Sequence, residues 1–279
     1  MLKEFSSLGI NEKLQESLVS LGISIPTDIQ KEAIPVALNQ KEDIVVLAKT
    51  GTGKTVAFGL PLLQMVDLEN TAVQTLILAP TRELGQQIYS NLAAFAAESP
   101  EIILASTCGG TPIKPQIELL KNPTHIVVAT PGRLVDLIKR GAICLKSLKY
   151  FVLDEADEMI SVLKEEVDII IKKIPKSRRT FLFTATMSGP IKQLVQNYMS
   201  KDVVHIEVDM ATVGHQGIEH LYVIVEPIEK LDVLLHFLNS KEGQRGIIFC
   251  KTKAAVNKLA KKLAINKFSS GAIHGSLTQ

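Results

Sequence analysis

Seven short apolar runs punctuate the chain: Asp43–Ala48, Val73–Ala79, Ile102–Thr107, His125–Thr130, Tyr150–Asp154, Arg179–Thr184 and Val203–Val208. Each is rich in Val, Ile and Leu and is apolar on both faces, the pattern of a strand covered from both sides in a parallel sheet. The stretches between them are mostly long enough for a crossover helix, as over Leu84–Ala97 and Val162–Ile174. Strand–helix alternation of this kind predicts an α/β domain on a parallel sheet, here over residues 1–208. Periodicity lapses over 209–217, a polar, glycine-containing stretch that reads as a linker. The alternation then restarts. Strands are expected at Ile218–Val225, Gly246–Cys250 and Ser269–His274, with one helix reaching Asn239 and another over Lys253–Ala264. At about 60 residues, this second unit, 218–279, is small for a complete α/β domain.

Composition narrows the class. Hydrophobic residues make up 46% of the 279, enough for a sizeable core and too many for a disordered chain. A formal net charge of +2 excludes binding to nucleic acid by bulk charge alone, but leaves room for a few placed cations. Cys108, Cys144 and Cys250 are widely spaced and form no CxxC pair, so reduced thiols are expected rather than a disulfide framework or a zinc site. The chain opens without a basic start and apolar run, and no apolar stretch is long enough to span a bilayer. The expectation is a soluble cytoplasmic protein with no membrane partner.

Two segments carry chemistry. After the first apolar run the chain reads Ala48-Lys-Thr-Gly-Thr-Gly-Lys-Thr55 and enters a helical pattern. A glycine-rich strand-to-helix turn lets backbone N–H groups close around phosphates, and the helix start favours negative charge. Thr50, Gly51, Thr52 and Gly53 would form that cradle, Lys54 would reach the β- and γ-phosphates, and Thr55 would hold Mg²⁺. The strict pattern opens on Gly, and Ala48 stands in its place. The second segment is Asp154-Glu-Ala-Asp157, directly after the run Phe151-Val-Leu153. A carboxylate at the carboxyl end of a parallel strand faces the ligand crevice. Asp154 is therefore a candidate Mg²⁺ ligand and Glu155 a candidate base for an attacking water. Alone, an acidic tetrad equally describes a solvated helix start. The phosphate-type loop elsewhere in the chain is what favours the chemical reading.

Asp-Glu-Ala-Asp is also the tetrad that names the DEAD-box RNA helicases, and further segments of this chain resemble that family's motifs in order. Phe5, Gly22, Pro26-Thr27 and Gln30 look like the Q motif, which implies adenine recognition by Phe5, Ile23, Thr27 and Gln30. Many members carry an aromatic residue where Ile23 stands. Pro80-Thr-Arg-Glu-Leu84, Gly109-Gly110 and Thr130-Pro-Gly-Arg133 are similar to motifs on the RNA side. They imply RNA contacts by Pro80, Thr81, Arg82, Gly109, Gly110, Thr130, Pro131, Gly132 and Arg133. Gly85 replaces the common Ala after the first of these. Thr184-Ala-Thr186 stands at motif III, with Thr184 for the usual Ser, and implies interdomain coupling through Asp157, Thr184 and Thr186. Thr184 keeps the hydroxyl that could bond Asp157, with an added methyl. Gly246–Thr252 resembles motif IV, and His274-Gly275 begins the next family segment.

The resemblance implies a RecA-like parallel sheet flanked by helices, followed by a partial second RecA-like domain. It implies ATP and Mg²⁺ as cofactors, RNA as partner, a monomer, and ATP hydrolysis coupled to local RNA duplex separation. The family's later motifs, among them an arginine finger, have no counterpart before Gln279, so this polypeptide is expected to bind ATP and RNA and scarcely to unwind. Two alternatives stay open: a catalytically silent ATP- and RNA-binding module, and a phosphate-loop NTPase of another kind.

Overall fold

A computed structural model of the chain describes residues 2–208, 219, 221–241 and 243–276. The chain divides into two compact units, Met1–Gln216 and Gly217–Gln279. The expected linker, 209–217, lies outside the described residues.

The first unit opens with three helices, α1 (Lys3–Ser7), α2 (Glu12–Ser20) and α3 (Asp28–Asn39). Strands and helices then alternate: β1 (Ile44–Leu47), α4 (Lys54–Gln64), β2 (Thr75–Leu78), α5 (Arg82–Phe95), β3 (Leu104–Thr107), α6 (Ile113–Leu119), β4 (Ile126–Ala129) and α7 (Pro131–Lys139). The series continues with β5 (Tyr150–Leu153), α8 (Ala156–Val162), α9 (Lys164–Ile171), β6 (Arg179–Thr184), α10 (Gly189–Tyr198) and β7 (Val204–Glu207). Each of the seven apolar runs contains one strand. The strands form a single sheet in the order β3-β4-β2-β5-β6-β1-β7, and every neighbouring pair is parallel. Two hydrophobic clusters cover its faces: one gathers Phe5, Phe58, Phe95 and Phe183, the other Phe151, Leu153, Met159 and Ile191. This two-sided burial is why the strands read as continuous rather than alternating apolar runs.

All seven strands run the same way, so their carboxyl ends share one edge of the sheet. In the strand order β6 lies between β1 and β5, with the β1–β6 and β5–β6 ladders in register. The loops that leave β1 and β5 are thus set on either side of the end of β6. This placement is tertiary: about a hundred residues of chain separate them in sequence.

Buried polar groups pin the opposite edge. Arg179, at the start of β6, donates from Nε to Glu42 O at 2.6 Å, from Nη1 to Ala37 O at 2.6 Å and from Nη2 to Val36 O at 3.0 Å. It thus reaches two carbonyls of the last turn of α3, of which Val36 O also accepts from Gln40 N at 3.1 Å, and that of Glu42 just beyond the helix. Asp43 accepts from Thr180 N and from Ser200 N, each at 2.6 Å. These bonds fix α3, whose other end bears Thr27 and Gln30, against the sheet.

The second unit contains α11 (Lys230–Ser240) and α12 (Lys253–Ile265), close to the helices expected there. The strands expected at Ile218–Val225, Gly246–Cys250 and Ser269–His274 do not form ladders among the described residues. Tyr222 is 90% exposed and Phe249 also 90%. Apolar patterning gives a strand only where a neighbour supplies the hydrogen bonds that its backbone requires. The first unit has such neighbours for all seven runs. Among the described residues these segments have none.

Candidate functional site

The loop from Ala48 to Gly53 continues β1 and turns into α4. Ala48 donates its N–H to Thr184 O at 2.9 Å and is 2% exposed, so it prolongs the β1–β6 ladder. Its φ is not positive, which is why alanine serves where the strict pattern has glycine. The turn itself falls on Gly51 (φ 85°) and Gly53 (φ 93°), in the left-handed region that glycine enters without penalty. A Cβ on Gly53 would run into Gln30 Nε2, whereas one on Gly51 would meet nothing within 4 Å among the described residues. The loop is braced from below. Thr27 Oγ1 donates to Thr52 O at 2.9 Å, and Gln30 Nε2 donates to Gly53 O at 3.1 Å. Gln30 Oε1 accepts from Thr27 N at 3.0 Å, completing the capping box that starts α3.

Gln30 is 3% exposed, and each end of its amide makes one hydrogen bond to the protein. It is a strut under the loop, and its amide keeps a second N–H and a second carbonyl lone pair beyond these two bonds. Phe5 is fully buried in the core and anchors α1. Ile23 is half-buried and packs on the same cluster.

Lys54, the first residue of α4, is 6% exposed, and its Nζ has no hydrogen-bond partner among the described residues. Asp154 Oδ1 stands 3.8 Å away, close enough for attraction and too far for a hydrogen bond. Asp154 is itself 2% exposed. Burial pushes its carboxyl up to about 6; the Lys54 ammonium acts against that shift and the Glu155 charge adds to it. Asp154 Oδ1 also accepts from Glu155 N at 3.0 Å.

Glu155 has φ 50° and ψ 51°, a conformation that costs a non-glycine residue ~1–2 kcal/mol. The sharp turn between β5 and α8 brings its side chain to the phosphate-type loop, where Thr50 Oγ1 donates to Glu155 Oε1 at 3.3 Å. A cleft of about 360 Å³ opens here, lined by Thr50, Lys54, Glu155, Asp157, Glu158 and Ala185. Glu158 is the member that sequence reading missed, because it lies one position beyond the tetrad. Partial burial, then a hydrogen bond to Glu155, then the charges of Glu155 and Asp157, hold its carboxyl above the usual range.

At the top of β6, Thr186 Oγ1 donates to Asp157 Oδ2 at 2.9 Å, while Thr184 Oγ1 donates to Thr186 O at 3.0 Å. The hydroxyl that meets Asp157 is thus that of Thr186, not that of Thr184. Thr184 is fully buried at the end of the strand and reaches only the next turn.

The residues expected on the RNA side gather on the other half of the same sheet edge, beyond β2, β4 and β3. Thr81 caps α5, accepting from Leu84 N at 3.2 Å, and Thr130 precedes Pro131 at the start of α7. Gly109 N donates to Thr130 Oγ1 at 3.0 Å. Arg82 Nη1 donates to Gly110 O at 3.4 Å, and Arg133 Nη2 donates to Thr111 O at 2.7 Å. Pro131 is buried at the start of α7, Pro80 is half-buried and Gly132 is exposed. Gly85 has a packing reason: a Cβ there would lie 2.5 Å from Cys108 Sγ, so the thiol fills the space that an alanine methyl would take. The Cys108 thiol is pushed up by burial.

Residues 27–194 match the profile of the DEAD/DEAH box helicase family. The chain belongs to that family. The DEAD-box ATP-dependent RNA helicase CshA of Bacillus cereus is 40% identical over 276 residues, covering 99% of this chain and 52% of that protein. The Geobacillus kaustophilus CshA is 36% identical over 277 residues, covering 99% and 58%. The chain thus spans about half the length of the curated relatives it matches. Among solved structures, a DEAD box protein from Methanococcus jannaschii is 38% identical with a TM-score of 0.71, covering 98% of this chain and 73% of that one. Saccharomyces cerevisiae Dbp5 bound to RNA and ADP BeF3 is 28% identical with a TM-score of 0.86, covering 98% and 69%. The seven-stranded parallel sheet is that of a RecA-like fold. No helix among the described residues is long and apolar enough to cross a membrane.

Proposed function

We propose that this chain is the ATP- and RNA-binding part of an RNA helicase core, with the nucleotide at the β1–β5 cleft and RNA along the Arg82–Arg133 edge. The observation that carries the reading is the Lys54 ammonium, buried without a hydrogen-bond partner beside a buried carboxylate. A buried cation with nothing to bond is costly, and a phosphate group entering the cleft supplies the missing acceptors. The glycine turn above it offers backbone N–H groups to the same phosphates.

Magnesium fits the residues present on one condition. The described residues hold no group of three or more carboxylate, His or Cys ligands that could bind a metal alone. Mg²⁺ is commonly held by one or two protein oxygens with phosphate and water completing its shell, and Thr55 with Asp154 would supply that pair. When bound, the ion would neutralise charge on the phosphates. Glu155 would orient a water and take its proton as the water oxygen bonds to the γ-phosphorus and the bond to the ADP oxygen breaks. Thr50 holds the Glu155 carboxylate at the cleft wall for that task. Ile23 and Thr27 would line the nucleoside side. Asp157, Thr184 and Thr186 form a hydrogen-bonded series from the cleft wall to the end of β6, the element we propose for coupling.

RNA would meet Arg82, Arg133, the Gly109-Gly110 turn and the start of α7, where backbone N–H groups would donate to a phosphate. Calorimetry of Mg-ATP binding, with ATP turnover measured in the presence and absence of single-stranded RNA, tests the reading. Binding of ATP with turnover raised by RNA supports it. Turnover indifferent to RNA points to another phosphate-loop NTPase, and binding of both without turnover to a silent module.

A further inference from the structure

The two arginines at the RNA-side edge act on consecutive carbonyls of one loop, Arg82 on Gly110 and Arg133 on Thr111. A third side chain ties the group together. Gln116, on the short helix α6, donates from Nε2 to Cys108 O at 3.0 Å and to Thr111 Oγ1 at 3.1 Å. Its Oε1 accepts from Arg133 Nη1 at 2.6 Å. One amide thus binds both ends of the 108–111 turn and the guanidinium that follows Thr130-Pro-Gly. Gly110 has φ 82°, so this turn has a conformation that a fixed clasp must select.

The fork of Arg133 is planar, so fixing two terminal nitrogens, one on Gln116 and one on Thr111, fixes the direction of its remaining N–H groups. Without the amide, Arg133 would keep a single tether and the turn would lose its cross-brace. α6 has no buried residue, so its side chains do not build the core. The amide of Gln116 is spent wholly on this cluster, and that is the sign of a positioning role.

We propose that Gln116 is the positioning residue of the RNA-binding edge: its amide sets the 108–111 turn and the Arg133 guanidinium in the geometry that receives an RNA phosphate. The inference rests on the RNA reading given above and deepens it by adding a residue that touches no ligand itself.

The test uses the 279-residue chain and fluorescence anisotropy with a short labelled poly-uridine strand, alongside calorimetry of Mg-ATP. Arg133→Ala and Gln116→Leu should each weaken RNA binding about ten-fold, the scale of a hydrogen bond to a charged group, with ATP affinity unchanged. Because Gln116 acts through Arg133, Gln116→Leu in the Arg133→Ala background should cost little more. Gln116→Glu keeps the acceptor for Arg133 but has no donor for Cys108 O, and its charge competes with phosphate. It should bind RNA as poorly as Gln116→Leu while keeping its melting temperature. A full Arg133→Ala loss with Gln116→Leu and Gln116→Glu at wild-type strength would overturn the positioning role. So would a Gln116→Leu loss that adds in full to that of Arg133→Ala, or one that lowers ATP affinity equally. If the wild-type chain does not bind the strand, or Arg133→Ala binds like it, the RNA reading itself fails and the positioning role with it.

Discussion

The two halves of the sheet edge treat their cations in opposite ways. At the β1–β5 cleft, Lys54 is buried and has no hydrogen-bond partner among the described residues. At the other half, Arg133 and Arg82 are only partly buried, and both donate to backbone carbonyls of the 108–111 turn. The first is a site held in an unsatisfied state by the surrounding fold, where a polar ligand removes a standing cost. The second is satisfied at rest, so a ligand there must exchange one set of hydrogen bonds for another, which yields only a small net gain per bond. Burial therefore predicts a strong, localised nucleotide contact and a weaker, distributed contact with RNA.

The largest test of that contrast is Lys54→Ala. It removes the unsatisfied cation and leaves Asp154 buried without its neighbour. Mg-ATP affinity by calorimetry should fall by about 2–5 kcal/mol, the scale of truncating one member of a buried charge pair. ATP affinity equal to wild type would break the comparison at its root. Glu155→Gln keeps the side chain's shape and its neighbour Thr50 but removes the base. ATP should still bind, and single-turnover hydrolysis should slow by ~10²-fold or more. Unchanged hydrolysis would assign the base elsewhere in the cleft, with Glu158 the next candidate.

Gly53→Ala and Gly51→Ala share a positive φ and differ in surroundings. The first methyl meets Gln30, the second open space. Strain of this kind costs ~1–3 kcal/mol. Gly53→Ala should lower both thermal stability and ATP affinity more than Gly51→Ala, and equal effects would show that the Gln30 strut does not set the loop. On the other half, Gly85→Ala should destabilise by about 1–3 kcal/mol through overpacking against Cys108. It should leave ATP affinity alone and weaken RNA binding modestly. Adding Cys108→Ala should recover most of the stability, measured by thermal melting.

The first unit was legible because each apolar run had both a two-sided pattern and a partner strand to pair with. The expected strands of the second unit had the pattern without a partner among the described residues. Lys54, Asp154 and Glu155 were legible because a phosphate-type loop and a carboxylate pair are local spellings with a fixed place on a strand end. Glu158 and Gln116 were not legible, since neither stands in a motif. What makes each matter is a neighbour about three residues away on Glu155 or about seventeen away on Arg133, brought close by a turn or a helix pair.

The sequence by itself determined the order of strands and helices, the turn glycines and the chemical types in the cleft, because these follow from periodicity, φ preference and side-chain charge. Tertiary structure alone decided which of those groups are satisfied. The β1–β6–β5 order buries Lys54 beside Asp154 at 3.8 Å, and the packing of α3 makes Gln30 a brace under the loop. The register at the top of β6 gives Asp157 to Thr186 instead of Thr184. Hydrogen-bond satisfaction depends on distances of a few tenths of an ångström between distant parts of the chain, and only the packed sheet sets those.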